Sequence, residues 1–348
     1  YHFGIIDGLF EDKNHLVFDK VNVLFGEMEY FLSNNKSPNY NFVYDQIVCY
    51  GEILSTTILS YFFNQENIEN VWIDSRNLIK TDTTYRDAVV DWTKTENNIK
   101  NQIQSEKLYI TQGFIGSDPN HFSVTLGREG SDYSAAIFAY CLDAKSVTIW
   151  KDVPGVLNAD PRYFEDTTLL NQISYREAIE LAFYGASVIH PKTLQPLQKK
   201  EIPLYVKSFV NPTLPGTSVS RGAILEPFVP CFIVKKNQLL ISISSKDFSF
   251  IMESQVGEIF KWFGENHIKV NVIQNAAISF TVCVEDKFNN FETLNQELSK
   301  NFNVSFDENV SLYTIRHFDE KAAQSVINDK TVLLQQVNLE TMQIVTKE

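Results

Sequence analysis

Bulky apolar residues return every three or four positions along the first sixty residues: Val17, Val21, Leu24, Phe25, Met28 and Leu32, then Ile47, Leu54, Ile58, Tyr61 and Phe62. That spacing places them on one face of a helix, so the chain is expected to open helically. Short β-rich runs follow, "VWIDS" (71–75) and "YITQGFIG" (109–116). The second leads into "TLGREGSDYSAAIF" (125–138), which reads as a glycine-bearing turn and an alanine-rich helix, and "SVTIW" (146–150) reads as the next strand. In "ISYREAIELAFYGASVIHP" (173–191), Ser174 and Glu177 have the spacing of a capping box. Ile179, Ala182, Phe183 and Ala186 are the expected buried stripe, and His190-Pro191 the expected stop, because the residue before proline avoids the helical region. "IPLYVKSF" (202–209) is a further strand. Strands alternating with helices predict an α/β domain, a mainly parallel sheet with helices on both faces.

The pattern changes after the proline-rich "NPTLPGTS" (211–218) and "EPFVP" (226–230). "QLLISISS" is a strand; Val256, Ile259, Phe260 and Phe263 mark a helix; "KVNVIQN" and "ISFTVCVE" are two strands. Phe291, Leu294 and Leu298 mark a second helix before the strand "VSLYTIRHF". The order βαββαβ is ferredoxin-like. A helix at 320–328 and two strands, "TVLLQQV" and "TMQIVTK", complete the chain. A boundary is expected near residue 228, giving domains 1–228 and 229–348, with 320–348 an abbreviated second copy of the βαββαβ unit.

The 348 residues carry a net charge of −13, with 44% hydrophobic and 21% charged residues. So acidic a chain offers no basic field to nucleic acid or to an anionic membrane. No apolar run approaches the ~18 residues of a membrane span. Cys49, Cys141, Cys231 and Cys283 are widely spaced and form no CxxC, which fits reduced thiols in a cytoplasmic protein. The six histidines have no metal-ligand spacing, and no metal-ligand set is expected from the chain.

Ligands of open α/β sheets bind beyond the carboxyl ends of strands, at helix N-termini. Three segments lie at or near such places. "TLGREGSD" combines Arg128, Glu129 and Asp132 with two glycines that let a ligand approach the backbone; it also fits an ordinary glycine turn capped by Ser131 or Asp132. "WKDVPGVLNADPR" (150–162) carries Lys151, Asp152, Asp160 and Arg162 on a loop whose "DVPG" and "DP" read first as plain turn formers. "CYGE" puts Glu52 within an apolar helix, where it either lines a site or faces solvent.

Taken in order, "ITQGFIG…TLGREGSDYSAA…VTIWKDVPGVLNADPR…ISYREAIELAFYGASVIHPKTLQP…IPLYVKSF.NPTLPGT" resembles the aspartokinases, members of the amino acid kinase superfamily, over about residues 109–217. The following βαββαβ unit resembles the ACT domain that these enzymes carry. The resemblance implies an amino acid kinase fold and transfer of the ATP γ-phosphoryl group to the side-chain carboxylate of L-aspartate, the first step towards lysine, threonine and methionine. An ionised carboxylate is already a nucleophile, so the chemistry needs positioning and charge neutralisation rather than a general base.

Residue by residue, the resemblance implies that Glu52 meets the α-ammonium of aspartate and that Arg128 binds a carboxylate, with Gly130 and Ser131 beside the substrate. Asp132 would order the catalytic cation or magnesium. Lys151, Asp152, Leu157, Arg162, Ser187 and Val188 would contact ATP, with Mg²⁺ held mostly by phosphate and water. Effector contacts for lysine or threonine would fall on Ser249, Ser254, Gln255, Val256, Asn271, Asn275 and Ala276, and ACT pairing would make a homodimer. Glu129 replaces a glycine of the usual "GRGGSD", Leu157 a common tyrosine and Ser187 a common lysine. The family's opening "KFGGT" or "KFGGS" strand is absent, so the chain is expected to lack an N-terminal stretch and to be inactive as it stands. A catalytically silent amino-acid sensor and a kinase for another carboxylate, such as glutamate, are the alternatives.

Overall fold

The structure is a computed structural model and describes residues 1–186 and 189–347. Its packing divides the chain into two compact units, Tyr1–Val153 with Ile189–Leu214 and Ser218–Ala223, and Pro154–Val188 with Pro215–Thr217 and Ile224–Glu348.

The first unit opens with α1 (His2–Leu9), α2 (Leu16–Asn34) and α3 (Tyr40–Gln65), the expected helical start. Asn39 begins α3 by accepting the Asn41 and Phe42 amides, which would otherwise lack partners. Val17, Val21 and Leu24 pack on Cys49, Ile53, Leu54 and Ile58 in one core. Next, β1 (Val71–Trp72) leads through α4 (Ser75–Leu78) and α5 (Trp92–Gln102) to β2 (Tyr109–Ile110), its parallel partner. The expected single strand at 109–116 is broken. The chain turns at Gly113 and Phe114 (φ 68°) into β3 (Ile115–Ser117), which forms an antiparallel hairpin with β4 (Ser123–Thr125). Gly113 permits this because a Cβ there would lie 2.9 Å from Ser131 atoms. The chain continues into α6 (Gly130–Cys141) and β5 (Val147–Lys151).

Two elements of the second unit follow, β6 (Gln172–Ser174) and α7 (Tyr175–Tyr184), before the chain returns to the first with α8 (Pro191–Lys200) and β7 (Leu204–Ser208). Strand β7 pairs with β5 in parallel, from Val147↔Leu204 to Lys151↔Ser208, the second parallel pair of the α/β pattern. A short β8 (Thr217–Ser220) comes next.

The helix expected to run to His190 behaves differently. It stops at Gly185 (φ 123°), and Pro191 starts α8 as its first residue, with the His190 ring nitrogen accepting the Lys192 amide. Proline suits that position because its missing N–H would have had no intrahelical acceptor. The buried face of α7 is Tyr175, Glu177, Ala178 and Leu181, whereas Phe183 is 65% exposed and Ile179, Ala182 and Ala186 are half-buried. The expected stripe is thus the wrong face. Apolar spacing misled because Glu177, a charged residue, points inward.

In the second unit β9 (Cys231–Ser245), α9 (Glu253–Glu265), β10 (Lys269–Asn275), β11 (Ser279–Glu285), α10 (Phe291–Asn301) and β12 (Phe302–Arg316) realise the βαββαβ order. They are followed by α11 (Glu320–Ile327), β13 (Thr331–Val337) and β14 (Thr341–Lys347). All pairings are antiparallel, in the order β10-β11-β9-β12-β14-β13. The first four give the ferredoxin-like arrangement, and the tail strands extend the same sheet. Strands β9 and β12 are each 15 residues long and carry a positive-φ asparagine, Asn237 and Asn309, near a shift in their mutual register. Below that shift Ile241 and Ile243 pack with Phe280, Val282 and Val284 against α9 and α10. Above it Tyr313, Ile315, Met342 and Ile344 pack against α11. Residues of opposite pleat, Leu240, Cys283, Leu312 and Val345, join in a third cluster.

Glu177 accepts two hydrogen bonds from the Arg316 guanidinium, Nε to Oε1 at 2.9 Å and Nη2 to Oε2 at 2.7 Å. Arg316 also donates to the Thr341 hydroxyl and to Glu340. Burial would push the Glu177 carboxyl up, but the Arg316 bonds and charge outweigh it and hold the group below the usual glutamate range. Only the Ser174 half of the expected capping box is present, the hydroxyl accepting the Glu177 amide.

Candidate functional site

Helix α3 is fastened to the strands by buried polar side chains. Asp45 is fully buried; its Oδ2 accepts the Arg86 and Thr125 amides at 2.8 and 2.9 Å, and its Oδ1 the Thr125 hydroxyl at 2.9 Å. Burial pushes the Asp45 carboxyl up against the lowering effect of those bonds. Further along, the Thr56 hydroxyl accepts from Trp72 Nε1 at 3.1 Å and from Gln112 Nε2 at 2.8 Å, while Gln112 Oε1 accepts the Ser75 amide. Between these anchors lies Glu52. It is half-buried, its carboxylate makes no hydrogen bond or ion pair among the described residues, and burial alone pushes its pKa up. The sequence pointed to Glu52; it gave no signal for Asp45, whose residue type is ordinary on a helix.

The start of α6 is set by close packing. Gly127 has φ +82°, and a Cβ there would collide with the Asp87 carboxylate, itself paired with Lys192. A Cβ on Gly130 would lie 2.6 Å from the Phe114 ring. Ser134 accepts the Phe114 amide and donates to the Gly130 carbonyl, tying helix to turn. Glu129 is the residue before α6 and sits at φ 53°, ψ 34°. This left-handed conformation costs a side-chain-bearing residue about 1–2 kcal/mol, and a glycine nothing comparable. Its Oε2 is buried without a hydrogen-bond partner among the described residues.

Arg128 is exposed and makes no ion pair among the described residues. Ser131 is exposed beside Gly113. Asp132, in the first turn of α6, meets Lys151 at the end of β5, Oδ2 to Nζ 2.8 Å, with both side chains largely covered. In the sequence the two stand in separate segments; the helix-to-strand return brings them together. Asp152 is exposed at the next position. Nearby His190 is pushed below the ordinary histidine range by burial, with Glu129 opposing the shift.

The other candidates lie in the second unit. Leu157 bridges Leu169, and Arg162 is exposed and chelates Asp160 at 2.6–3.1 Å. Ser187 and Val188 lie outside the described residues. Among the effector candidates, Ser249 bonds Asp247, Gln255 caps α9 by accepting the Met252 amide, and Val256 packs on the core. Asn271 is spent internally, accepting from Lys235 at 2.9 Å and donating to Gln238 at 2.8 Å. Ser254, Asn275 and Ala276 are exposed at the same end of the sheet, where the Ile251 amide reaches the Ala277 carbonyl.

The first unit thus carries Glu52 and Arg128 without charged partners among the described residues, glycines that seat a helix N-terminus close to a neighbouring turn, and a lysine–aspartate pair at a strand end. The model described as the amino acid kinase family matches residues 4–208, and the chain belongs to that family. Among individual proteins, it is 32% identical over 246 residues to lysine-sensitive aspartokinase 3 of Escherichia coli (strain K12), covering 69% of this chain and 54% of that protein. It is 30% identical over 265 residues to the chloroplastic aspartokinase 1 of Arabidopsis thaliana, covering 73% and 46%. The chain thus spans about half the length of these curated relatives. The crystal structure of E. coli aspartokinase III with aspartate and ADP (R-state) superposes with a TM-score of 0.80 at 25% identity, covering 99% of this chain and 81% of that one. The same enzyme with lysine and aspartate (T-state) gives 0.76, covering 95% and 78%. Among the described residues no helix is long and apolar enough to cross a membrane.

Proposed function

We propose that this chain is the phosphotransfer and regulatory part of an ATP-dependent aspartate kinase, with residues 1–228 serving catalysis and 229–348 regulation. The observation that carries the reading is the pair of unspent charges, Glu52 and Arg128, within one compact unit. Asp45 ties the helix of Glu52 to Thr125, three residues before Arg128, which supports placing the two on one substrate. A carboxylate buried without a partner is costly and favours a cationic guest, here the α-ammonium of aspartate. The free guanidinium matches a substrate carboxylate through two parallel hydrogen bonds. Both relatives named above are aspartokinases, and one was crystallised with aspartate and ADP.

In this reading the side-chain carboxylate oxygen of aspartate attacks the γ-phosphorus, the bond to the β–γ bridging oxygen breaks, and ADP leaves with that electron pair. No proton need move. Gly130 and Ser131 present the start of α6 to the anionic centre, where exposed amides favour negative charge. Lys151 neutralises phosphate while Asp132 orients it, and Asp152 stands at the nucleotide side. Magnesium enters as the phosphate chelate of ATP, and so as substrate. Ser254, Asn275 and Ala276 are the free positions for an amino-acid effector such as lysine, the ligand of the related T-state structure, and the unit pairs with a second copy. Aspartyl-hydroxamate formation from ATP and L-aspartate by the natural polypeptide tests the reading. Formation with aspartate and none with glutamate is expected, and no product from either would refute it.

A further inference from the structure

A cavity of about 380 Å³ opens in the first unit beside the β3–β4 hairpin, and none of the residues assigned to phosphoryl transfer lines it. Its walls include Lys80, Lys94, Asn97, Asn98, Asp118 and His121. Lys80 forms a parallel bridge with Ser117, and its Nζ donates to the Arg76 carbonyl at 2.7 Å and the Ser117 hydroxyl at 2.8 Å. Both acceptors are neutral, and among the described residues no carboxylate makes an ion pair with it. Burial pushes Lys80 below the ordinary lysine range, with the field of Asp74 opposing. Asp74 is itself chelated by Arg76 at 2.7–3.1 Å. Lys80 is therefore a half-buried ammonium with one N–H and its charge unspent, a situation that favours an anionic guest.

Among the described residues, the acid on the wall, Asp118, does not supply that anion. Asp118 Oδ1 accepts the Asn120 and Phe122 amides at 2.8 and 2.9 Å, and Oδ2 accepts the Tyr85 hydroxyl at 3.2 Å. Its charge is absorbed by the turn it organises. Lys94, 67% exposed, leans on Asp91 at 2.9 Å, an exchangeable surface pair, and Asn97 and His121 are exposed at the rim. On a chain of net charge −13, the cavity wall carries two lysines against one aspartate. Its volume lies in the range of small-molecule sites.

We propose that this cavity binds a small multivalent anion carrying carboxylate or phosphate groups, held by Lys80 and Lys94 with the Asn97 amide and His121 imidazole as further partners. The site is separate from the aspartate clamp and its occupancy does not depend on phosphoryl transfer. Occupancy would brace the 118–122 turn of the hairpin whose second strand leads through Thr125 to Arg128.

Calorimetric titration of the chain with inorganic phosphate and with citrate, at fixed ionic strength in chloride, tests this. One-to-one binding of either anion is expected, phosphate alone marking a phosphate site and citrate a carboxylate site. Lys80→Met should weaken binding at least ~10-fold. Because Lys80 also supports the fold, Asn97→Asp, an exposed change checked by circular dichroism, is the second variant and should weaken binding by a similar factor. Arg128→Ala and Lys145→Met, with Lys145 exposed elsewhere, should leave it unchanged. Absence of binding by both anions up to about 10 mM overturns the proposal. Binding that survives Asn97→Asp, or that is lost equally in Lys145→Met, overturns it too.

Discussion

Replacing Arg316 by methionine isolates the strongest electrostatic contact of the second unit. Methionine keeps much of the volume but removes the two bonds to Glu177 and the bonds to Thr341 and Glu340. Glu177 is 7% exposed, so its carboxylate would be left buried, with His317 Nε2 at 3.1 Å as its remaining neighbour. Removing one partner of a buried pair costs about 3–5 kcal/mol. For a unit of this size that is a fall of roughly 6–20 °C in melting temperature. Glu177→Gln with Arg316→Met leaves no charge of the pair behind and should recover about 1–3 kcal/mol of the loss, measured as a double-mutant cycle in urea. The pH sense follows from the depressed Glu177 pKa. The folded group stays ionised below the usual glutamate value near 4.5, so its contribution is complete above that value and is lost as pH falls through the folded pKa. A loss below about 1 kcal/mol for Arg316→Met, or a double variant no better than the single one, would show that the pair does not hold α7 to the sheet.

Three further outcomes are expected. Arg128→Ala should raise the aspartate KM by about 100-fold and leave that for ATP within a few-fold, because a two-pronged charged contact is worth roughly 2–3 kcal/mol; equal effects would refute its role. Glu52→Gln should raise the aspartate KM. In the parent, aspartate binding should weaken as pH falls towards the raised Glu52 pKa, above the usual 4.5, and this acid-side dependence should flatten in the variant; an unchanged pH profile removes Glu52 from the clamp. Glu129→Gly should stabilise the first unit by about 1 kcal/mol through relief of the left-handed strain, read by thermal unfolding, and a destabilised variant would mean that the buried carboxylate oxygen has a partner that matters.

The helical opening and the βαββαβ order were legible because they rest on period: Val17, Val21 and Leu24 share one buried face, as do Ile259 and Phe263 on α9 and Leu294 and Leu298 on α10, whereas Leu32, also expected on the first face, is 53% exposed. Glu177 shows where period fails. A paired glutamate belongs to the buried face of α7, and its partner Arg316 lies 139 residues away, beyond any local pattern. Gly113 shows another limit, since the break at 113–114 depends on Ser131 approaching from a different element. The extra length of β9, from Cys231 rather than Gln238, was hidden by the lysine-rich "KKNQ" between its two halves. At the site, residue types singled out Glu52, Arg128, Asp132 and Lys151, while the Asp132–Lys151 contact and the Asp45 anchor required the tertiary return of the chain.

The long strands have a consequence for the order in which the molecule can be made. Residues 231–235 of β9 find their partners in the sheet at 312–316, and those in turn pair with 341–345. During synthesis the lower half of the sheet can close once residue 307 has emerged, while the upper half of β9 must wait as an unpaired ribbon of "CFIVK". A ribosome that stalls after residue 307 holds out an open β-edge, first that of β9 until 312–316 emerge and then that of β12 until 341–346 do, so chaperone demand should persist until the final strand is translated.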